Sequence, residues 1–543
     1  NVIVTGTLGN SGTDFGTVKY NSSGANQWAV KFYGAQIIED RANGIARDKN
    51  GNVYTVGKAK TGQGGDNIIV VKYDPQGVQK WVYNTGGTFA GYNAYDEGKA
   101  IAVDSNGYVY FTGTVYNHPS SKNDICTGKL DSNGNRLWHS VWVPTGPTHG
   151  DDTGNDIIVD TLGNVYITGQ YSNSAGNLDY LTIKYNSAGV EQWVRGYSGI
   201  PGGKDIPNAI TLDRNLNVFI TGVSDGSGTG TDIATIKYSN PGVQQWIKIF
   251  NNPENTDDFG NDIGTDTSGH VYVCGGVDSN SLSPNAILLK YLNGDGTLRG
   301  SKYRNDQSPG GVAYFNALAF NPSKTLIFAT GTDRFSSTEI GEAFLRCDTG
   351  FVATDLYYSI PHYDKDVEGK SIAWHDNYLY IGGNSFTQAE GKRMFVVRRT
   401  EYGNPIFTEY LNVNSPSGMT SNNGIVGGKG NNVFAAGNTY DSTSGNNITT
   451  LKYSYPYFRL LTSYSLEGPQ SAFPIGFQDT VRVYLRSTVA PYTIVDSAKG
   501  VNEYSSFVEY MYVYSYFNNV TTTGTYYVVL KHRNSIETWS KPK

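Results

Sequence analysis

A six-residue segment, Asn164-Val165-Tyr166-Ile167-Thr168-Gly169, recurs along the chain and constrains its fold more than any other feature. The other copies share its apolar centre and closing glycine: Asn1–Gly6, Asn52–Gly57, Tyr108–Gly113, Asn217–Gly222, His270–Gly275, Leu326–Gly331, Tyr378–Gly383 and Val433–Gly437. Successive closing glycines are 51, 56, 56, 53, 53, 56, 52 and 54 residues apart. A period of about 50 residues is typical of stacked or radial β repeats, in which each repeat forms one structural unit.

The composition favours an all-β chain. Gly (66) and Tyr (41) are abundant, and these residue types favour turns and strands respectively. The net charge of −6 provides no basic surface, so we expect no nucleic-acid partner. No apolar run approaches the length of about 18 residues that a membrane-spanning helix needs, so we expect no membrane span. The three cysteines lie in different repeats without a CxxC pair, and we expect small buried side chains at Cys126, Cys274 and Cys347.

Each repeat predicts four short strands. In the copy that begins at Asp152, the strands are expected at 156–160, 164–168, 180–185 and 190–194, with Gly- and Asn-rich turns between them. Such a four-stranded meander has the size of one blade of a β-propeller. We therefore predict an all-β fold with a β-propeller over residues 1–456. The nine motif copies favour nine blades, and the alternative is an eight-bladed ring with one irregular repeat.

The repeat resembles the SBBP family of bacterial β-propeller repeats. The shared pattern is D-x-A-x-x-I-x-V-D-x-x-G-N-V-Y-V-T-G, then D-x-x-T-x-K-Y-N, then G-x-x-Q-W, and it covers about residues 1–453. The fourth-strand tryptophans are Trp28, Trp81, Trp138, Trp193 and Trp246, and the later copies lack them. Because the chain opens inside a repeat, we expect that Asn1 is not the natural start and that an upstream leader was removed or left out.

Residues 457–543 do not follow the repeat. Alternating apolar residues predict strands at 479–485, 492–495, 507–514 and 525–530, which fit a small β-sandwich of the Ig or FnIII type. The segments 479–486, 491–497 and 531–540 resemble a module that follows propellers in secreted proteins of Bacteroidetes-like bacteria, where a type IX secretion sorting domain often comes next. This resemblance implies an extracellular or outer-cell-surface protein.

Acidic residues open most of the repeats, at Asp40, Asp96, Asp152, Asp205, Asp258 and Asp366. Near the axis of a propeller they could form a ring of carboxylates that binds a divalent cation, such as a structural Ca²⁺. Alternatively, each carboxylate accepts hydrogen bonds from turn amides. Repetition favours the second interpretation, because a binding site needs its groups only once. We therefore predict no cofactor and keep the six residues as candidates for an axial cation site.

A cation also recurs at one position of the third strand: Lys19, Lys72, Lys129, Lys184, Lys237, Lys290, Arg346, Arg398 and Lys452. We predict that it forms an ion pair within or between blades, with the opening aspartates as the suggested partners. The segments 48–52, 104–107 and 131–135 resemble calcium-binding loops, but none continues to the Glu that an EF-hand has at its twelfth position. We expect ordinary hairpin turns there.

The sequence contains no catalytic or zinc-binding motif, and we predict that the protein is not an enzyme. The favoured function is a secreted or cell-surface structural and interaction protein, with protein partners or self-assembly into an extracellular filament or surface layer. The alternative is an extracellular protein that binds carbohydrate. A hydrolase or lyase would need a residue that breaks the repeat pattern and faces the channel, with His149, His362 and His375 as candidates. Alternating tyrosines near the C-terminus, Tyr510, Tyr512, Tyr514 and Tyr516, are candidates for an aromatic interaction surface unless another element covers them.

Overall fold

The computed structural model describes strands along the whole chain. The residues outside the description are 1, 9–13, 21–25, 33–40, 61–64, 86–94, 119–121, 145–149, 279–284, 305–312, 337–338, 352–355, 361–364, 376, 388–390, 403–404, 412–420, 429–431, 442–444, 454–457, 465–479, 488–493, 505–510, 518–525, 533–537 and 540–543. Side-chain surroundings are described for most of residues 41–402. The chain forms two compact units, Asn1–Tyr453 and Ser454–Lys543. Among the described residues, no helix is long and apolar enough to cross a membrane.

The first unit is a succession of antiparallel sheets. It begins with a three-stranded sheet of β1 (Val2–Leu8), β2 (Asp14–Tyr20) and β3 (Asn26–Phe32). Three four-stranded meanders follow, formed by β4 (Arg41–Arg47), β5 (Val53–Lys60), β6 (Asp66–Tyr73) and β7 (Gln79–Thr85); by β8 (Glu97–Val103), β9 (Val109–His118), β10 (Lys122–Leu130) and β11 (Arg136–Trp142); and by β12 (Thr153–Val159), β13 (Val165–Ser172), β14 (Leu178–Tyr185) and β15 (Glu191–Tyr197). The order along the chain is the order in each sheet, as the turn pattern predicts.

The same arrangement continues along the chain. The next meanders are β16 (Asp205–Leu212), β17 (Val218–Asp225), β18 (Thr231–Tyr238) and β19 (Gln244–Phe250); β20 (Asp258–Thr265), β21 (Val271–Val277), β22 (Asn285–Tyr291) and β23 (Leu298–Arg304); β24 (Ala313–Phe320), β25 (Leu326–Ser336), β26 (Glu339–Asp348) and β27 (Leu356–Ile360); and β28 (Lys365–His375), β29 (Tyr378–Thr387), β30 (Gly391–Arg399) and β31 (Pro405–Leu411). The last two meanders are joined by one residue pair, Thr332 with Glu368. The last sheet of the unit has three strands, β32 (Ser421–Gly428), β33 (Asn432–Asp441) and β34 (Gly445–Tyr453).

The first strands of successive sheets lie side by side and close a ring. Among the described strands, eight first strands, from β4 through every fourth strand to β32, neighbour one another in order, and β32 also adjoins β4. The sheet of β1–β3 sits at this closure, with β1 against β33 and β34. The predicted all-β propeller is therefore confirmed. Because β1 also adjoins β4, the sheet of β1–β3 contacts both neighbouring sheets, and the choice between eight and nine blades stays a prediction.

Every first strand between β4 and β32 contains a β-bulge. The strand register shifts at Ala42/Gly44, Gly98/Ala100, Gly154/Asp156, Pro207/Ala209, Gly260/Asp262, Phe315/Ala317, Gly369/Ser371 and Asn422/Gly424. A bulge adds one residue to a strand, so the side chains beyond it alternate in the opposite sense. The bulge thus decides which side chain of the first strand faces the axis of the ring.

The core lies between blades. One apolar cluster joins Phe219 and Trp246 of one blade to Val273, Leu289 and their neighbours in the next. The tight packing of such clusters holds neighbouring sheets face to face. The three cysteines are fully buried in this core, which confirms the prediction for them.

The second unit is described as backbone strands. The order in its sheet is β35 (Phe458–Tyr464), β38 (Met511–Phe517), β37 (Ile494–Tyr504), β36 (Thr480–Ser487), β39 (Tyr526–His532) and β40 (Thr538–Trp539). Residues 494–501 of β37 pair with β36, and residues 502–504 pair with β38. The predicted two-sheet sandwich stays a prediction.

Candidate functional site

The meander topology gives the ring two different faces. One face carries the short turns that join the first strand to the second and the third strand to the fourth, and we call it the short-turn face. The opposite face carries the connections from the second strand to the third and from one blade to the next, and we call it the long-loop face. Loops placed on a rigid scaffold are where binding residues concentrate.

The short turns are stabilised by aspartates at their first position. The Asp160 Oδ1 atom accepts the N–H groups of Leu162 and Asn164 at 2.8 and 2.9 Å. Its Oδ2 atom accepts the Asn164 side-chain amide and the Tyr166 hydroxyl at 2.7 and 3.1 Å. Asp48, Asp104 and Asp131 also accept backbone N–H groups of their own turns. The prediction of ordinary turns at 48–52, 104–107 and 131–135 is therefore confirmed.

A paired contact fastens four of the described blades to the blade that follows, and we call it the inter-blade clasp. The Lys184 Nζ and Trp193 Nε1 atoms both donate to the backbone oxygen of Asn240 in the following blade, at 3.2 and 3.0 Å. Lys237 and Trp246 hold the Asn293 oxygen in the same way, at 2.6 and 3.3 Å. The other clasps are Lys72 and Trp81 on Ser132, and Lys129 and Trp138 on Ser187.

The clasp differs from the predicted ion pair. The lysine does reach the neighbouring blade, but its main-chain acceptor is a turn carbonyl and not one of the opening aspartates. Lys184 also lies over the Tyr166 ring, 5.0 Å from the centroid, which partly compensates the ammonium for lost water. Burial lowers the pKa of Lys184 and of Lys237. The prediction of an inter-blade contact is confirmed, and the prediction of a carboxylate partner is wrong for these lysines.

Replacing Lys184 or Lys237 by methionine removes the charged donor and keeps most of the side-chain volume. We expect each change to lower the free energy of unfolding by about 1–3 kcal/mol, as for other charged hydrogen bonds. Denaturant unfolding followed by tryptophan fluorescence measures the loss. Lys80→Met is the control, because the Lys80 side chain is half exposed and its ion pair with Asp74 spans 3.6 Å. Lysine variants that unfold as the wild type does would contradict the role of the clasp.

The opening aspartates are buried acceptors. Asp96, Asp152, Asp205 and Asp258 are fully buried. Each accepts a backbone N–H, from Tyr116 at 2.6 Å, Ser172 at 2.7 Å, Gly199 at 2.8 Å and Asn252 at 2.7 Å respectively. Gly199 and Asn252 lie in loops, so the interpretation of turn amides is confirmed for Asp205 and Asp258. Asp96 and Asp152 instead accept amides of the strands β9 and β13. Asp40 lies outside the described residues, and Asp366 lies in β28 with its side chain outside them. Within the described part of the chain, no three His, Cys, Asp or Glu side chains are grouped to hold a metal ion.

Most of these aspartates lie beside a second carboxylate. The N–H of Asp152 donates to the backbone oxygen of Asn123 at 2.8 Å, which brings Asp124 alongside. Burial, with repulsion from Asp124 and Asp151, raises the pKa of Asp152 to about 7. Burial, with repulsion from Asp232, raises the pKa of Asp258 to about 6. The long-loop face thus carries buried acids at the junctions between blades.

A polar cleft of about 410 Å³ opens on the long-loop face, between the blades of β8–β11 and β12–β15. Its lining includes Lys122, Asp151, Gln170, Ser172 and Asn173. The Lys122 Nζ and Asp151 Oδ2 atoms lie 3.9 Å apart across one end. These charged, amide and hydroxyl groups suit a polar ligand.

Two further acids belong to the first strands and were missed from the sequence. Asp156 and Asp262 follow bulges, and the Asp262 Oδ2 atom accepts the N–H of Leu318 in the next blade at 2.9 Å. Burial raises the pKa of Asp156 to about 6 and that of Asp262 to about 7. Repulsion from Asp156, which lies two blades away, adds to the rise in the pKa of Asp262. Alanine or another small residue stands at the equivalent bulge position elsewhere, as at Ala209. An aspartate where other repeats have a small residue was the sequence signal that could have identified Asp156 and Asp262.

The remaining candidates lie where side chains are not described. His149 and His362 lie outside the described residues, and His375 ends β28 with its side chain outside them. Tyr510 also lies outside them. Tyr512, Tyr514 and Tyr516 lie on β38 opposite Ser463, Leu461 and Arg459 of β35. The aromatic surface and the histidine candidates stay predictions.

Residues 146–176 and 192–228 match the family model described as SBBP: Beta-propeller repeat. The match falls on the blades of β12–β15 and β16–β19, and together with the closed ring of meanders it supports a repeat-type β-propeller. No curated protein matches the chain.

Several solved structures resemble this chain at low identity. The β-propeller domain of the Trilobed protease from Pyrococcus furiosus is 9% identical with a TM-score of 0.36, and the match covers 67% of this chain and 98% of that one. The WD40 domain of SCAP from fission yeast is 10% identical with a TM-score of 0.38, covering 75% and 94%. The α-L-arabinanase of Penicillium chrysogenum, complexed with arabinobiose, is 11% identical with a TM-score of 0.35, covering 54% and 88%.

Proposed function

We propose that this β-propeller is a secreted or cell-surface structural and interaction protein and a subunit of an extracellular filament or surface assembly. The observation that carries the proposal is the recurrence of exposed aliphatic side chains on the short-turn face. Val78, Val190 and Val243 follow the turn glycine of three blades and are 55%, 57% and 57% exposed. Leu162 on the same face is 70% exposed. An apolar group that recurs at the same turn position of several blades suits contact with another protein.

The inter-blade clasps support the same function. They join successive blades at equivalent points, so the ring can present its two faces without rearranging. A preformed surface loses less conformational entropy when it binds a partner. The scaffold function requires no catalytic step.

The assembly is tested with the full chain by size-exclusion chromatography with light scattering and by electron microscopy. We expect the wild type to form higher oligomers and the triple variant Val78→Ser, Val190→Ser, Val243→Ser to remain monomeric at the same concentration. Val143→Ser is the control, because Val143 is 41% exposed and follows the long-loop end of β11. A monomeric wild type, or a triple variant that assembles normally, would count against the proposal. Fractionation of the native cells tests the extracellular location.

Carbohydrate binding is the second candidate function, and the polar cleft favours it. Asp151, Gln170 and Asn173 place carboxylate and amide groups around a volume of about 410 Å³, and sugar hydroxyls pair with such groups. A glycan array with the intact protein tests this function. We expect Gln170→Ala to abolish any glycan signal that the cleft produces. An array on which the wild type gives no signal would rule out carbohydrate binding.

A further inference from the structure

A lysine, an asparagine and an aspartate meet at the junction between the blades of β16–β19 and β20–β23. Lys237 lies on β18 and is 7% exposed, and Asp213 directly follows β16 and is 5% exposed. Asn293 belongs to the following blade, in the turn whose backbone oxygen the clasp of Lys237 holds. Lys237 and Asn293 are 56 residues apart in the sequence, so the fold alone brings them together.

The side-chain amide of Asn293 lies between the other two groups. Its Oδ1 atom accepts a hydrogen bond from the Lys237 Nζ atom at 2.6 Å. Its Nδ2 atom donates to the Asp213 Oδ2 atom at 3.4 Å and to the Ser268 backbone oxygen at 3.3 Å. These partners fix which side of the amide faces the lysine. Because a C=O bond is about 1.2 Å long, the Lys237 Nζ atom lies within about 4 Å of the Asn293 Cγ atom.

A glycine behind the amide holds it in this place. A Cβ atom added to Gly269 would lie 2.2 Å from the Asn293 Nδ2 atom and 3.3 Å from the Asp213 Oδ2 atom. The backbone of this turn therefore packs directly against the amide and limits its rotation away from Lys237. Two groups that are held in contact react far faster than the same groups free in solution.

The surroundings of Lys237 favour a reactive amine. Burial lowers the pKa of the Lys237 ammonium, and the charge of Asp213 opposes part of this shift. The Phe219 ring covers the amine on one side, with its centroid 5.5 Å from the Nζ atom. The neutral amine of a lysine is a nucleophile, and removal from water is one way in which proteins activate it. The Asn293 Cγ atom is the electrophile within its reach.

We propose that Lys237 and Asn293 form an isopeptide bond, an amide between their side chains, which links the two blades covalently. The Lys237 Nζ atom attacks the Asn293 Cγ atom, the bond from Cγ to Nδ2 breaks, and Nδ2 leaves as ammonia. A lysine ammonium and an asparagine amide thus become a secondary amide and an ammonium ion, so that hydrogen atoms and charge balance. The Asn293 side chain is partly exposed, so the ammonia can escape to solvent.

Asp213 supplies the proton transfers. In the tetrahedral intermediate both nitrogens are bonded to the Asn293 Cγ atom, so a carboxylate that contacts one of them can reach the other. The Asp213 Oδ2 atom already contacts the departing Nδ2 atom. It takes a proton from the attacking amine and gives one to the departing nitrogen, as a general base and then a general acid.

The preceding clasp offers an internal comparison. The Lys184 Nζ atom also donates to the Asn240 Oδ1 atom. There, however, the Tyr166 hydroxyl lies 3.1 Å from the Asp160 Oδ2 atom and 3.2 Å from the Asn240 Oδ1 atom, and so stands between carboxylate and amide. By strand register, the equivalent residue at the proposed site is Phe219, which has no hydroxyl. We therefore expect no bond between Lys184 and Asn240.

The test measures the mass of the intact full chain after prolonged incubation at neutral pH. We expect a mass lower than the sequence requires by one molecule of ammonia. A tryptic digest should contain a branched peptide that joins the segments of Lys237 and Asn293, without cleavage after Lys237. This mapping separates the bond from cyclisation of Asn293 onto the nitrogen of Gly294, which also releases ammonia but joins no second segment. In denaturing electrophoresis the linked chain should migrate faster, because it contains a closed loop.

Two arginine variants test the nucleophile. Lys237→Arg keeps a positively charged donor but has no nucleophilic amine, so its peptides should all be unbranched. Lys184→Arg is the matched control and should retain the branched peptide. In the linked protein, Lys237→Met should also lower stability more than Lys184→Met, because it removes the covalent bond together with the clasp.

The variant Asp213→Asn tests the carboxylate. The Asp213 Oδ1 atom accepts the N–H groups of Asn215 and Asn217 at 2.8 and 2.9 Å, and an asparagine can replace it in that role. Asn186 shows this in another turn, where its Oδ1 atom accepts two backbone N–H groups at 3.0 Å each. We expect Asp213→Asn to fold and to form the bond about a hundredfold more slowly, the usual contribution of a general acid or base.

Either of two results would overturn the proposal. One is a wild type in which Lys237 and Asn293 remain in separate peptides after incubation, including a chain whose loss of ammonia is confined to the segment of Asn293 and Gly294. The other is an Asp213→Asn protein that forms the branched peptide as fast as the wild type.

Discussion

Replacing Gly242 by alanine is expected to lower the free energy of unfolding by about 3–5 kcal/mol, from overpacking and backbone strain together. Gly242 lies in the turn that the clasp holds, with a φ of 83°. An added Cβ would lie 2.6 Å from the Trp193 Cγ atom and within 2.8 Å of two more ring atoms. The indole cannot yield easily, because its Nε1–H is already bonded to the Asn240 oxygen. Denaturant unfolding measures the change.

The control separates the clash from the backbone strain. Gly228 has a similar φ of 81°, and an added Cβ there meets nothing within 4 Å. Gly228→Ala should therefore cost only about 1–2 kcal/mol, the strain of a left-handed conformation. Equal losses for Gly228→Ala and Gly242→Ala would show that contact with Trp193 contributes nothing.

The second large effect is a fall in stability as the pH rises, caused by the acids near the axis. Burial raises the pKa of Asp262 to about 7 from a usual value of 3.8. The folded protein therefore holds a proton that the unfolded chain releases above about pH 4. This contribution to stability is present at low pH and is lost as the pH rises through 7. Its upper limit is on the order of 4 kcal/mol, from ~1.4 kcal/mol per pKa unit.

The variant Asp262→Asn should remove the part of this dependence that comes from Asp262. We expect its free energy of unfolding to change less than that of the wild type between pH 5 and pH 8, and to exceed it at pH 8. Asp151→Asn is the control, because that carboxylate is 59% exposed. A wild type and an Asp262→Asn variant with parallel pH profiles would show that Asp262 titrates normally in the folded state.

The repeated sequence predicted the fold because the residues that favour strands and turns recur with it. Alternating apolar residues, Asp- and Asn-containing turns and the recurring glycine each favour the same four-stranded unit. The roles of Asp48, Asp104 and Asp131 followed from the preference of these residues for hairpin turns. Burial of the cysteines followed from their position within strands.

The partners of the recurring lysine could not be predicted in the same way. Lys184 meets a carbonyl oxygen 56 residues further along the chain, and every residue type offers a carbonyl. Only the packing angle between blades decides that this oxygen, and no carboxylate, lies within reach. A sequence pattern identifies charged side chains but does not reveal which main-chain atom faces them.

The axial acids were missed because of the bulges. Side chains of a regular strand alternate between its two sides. The register shifts just before Asp156 and Asp262, so regular alternation along the first strand predicts the wrong side for both side chains. The carboxylates beside the opening aspartates were missed for another reason. Asp124 and Asp152 belong to different repeats, and which side chains meet there depends on the connection between blades, where the copies differ most.

The inter-blade clasps all act in the same direction along the chain. Every lysine and tryptophan donor acts on the blade that follows it in the chain. A force on one long loop would be passed through those donors from blade to blade, between the blade of β4–β7 and that of β20–β23. The blades joined in this way would resist separation at those four junctions.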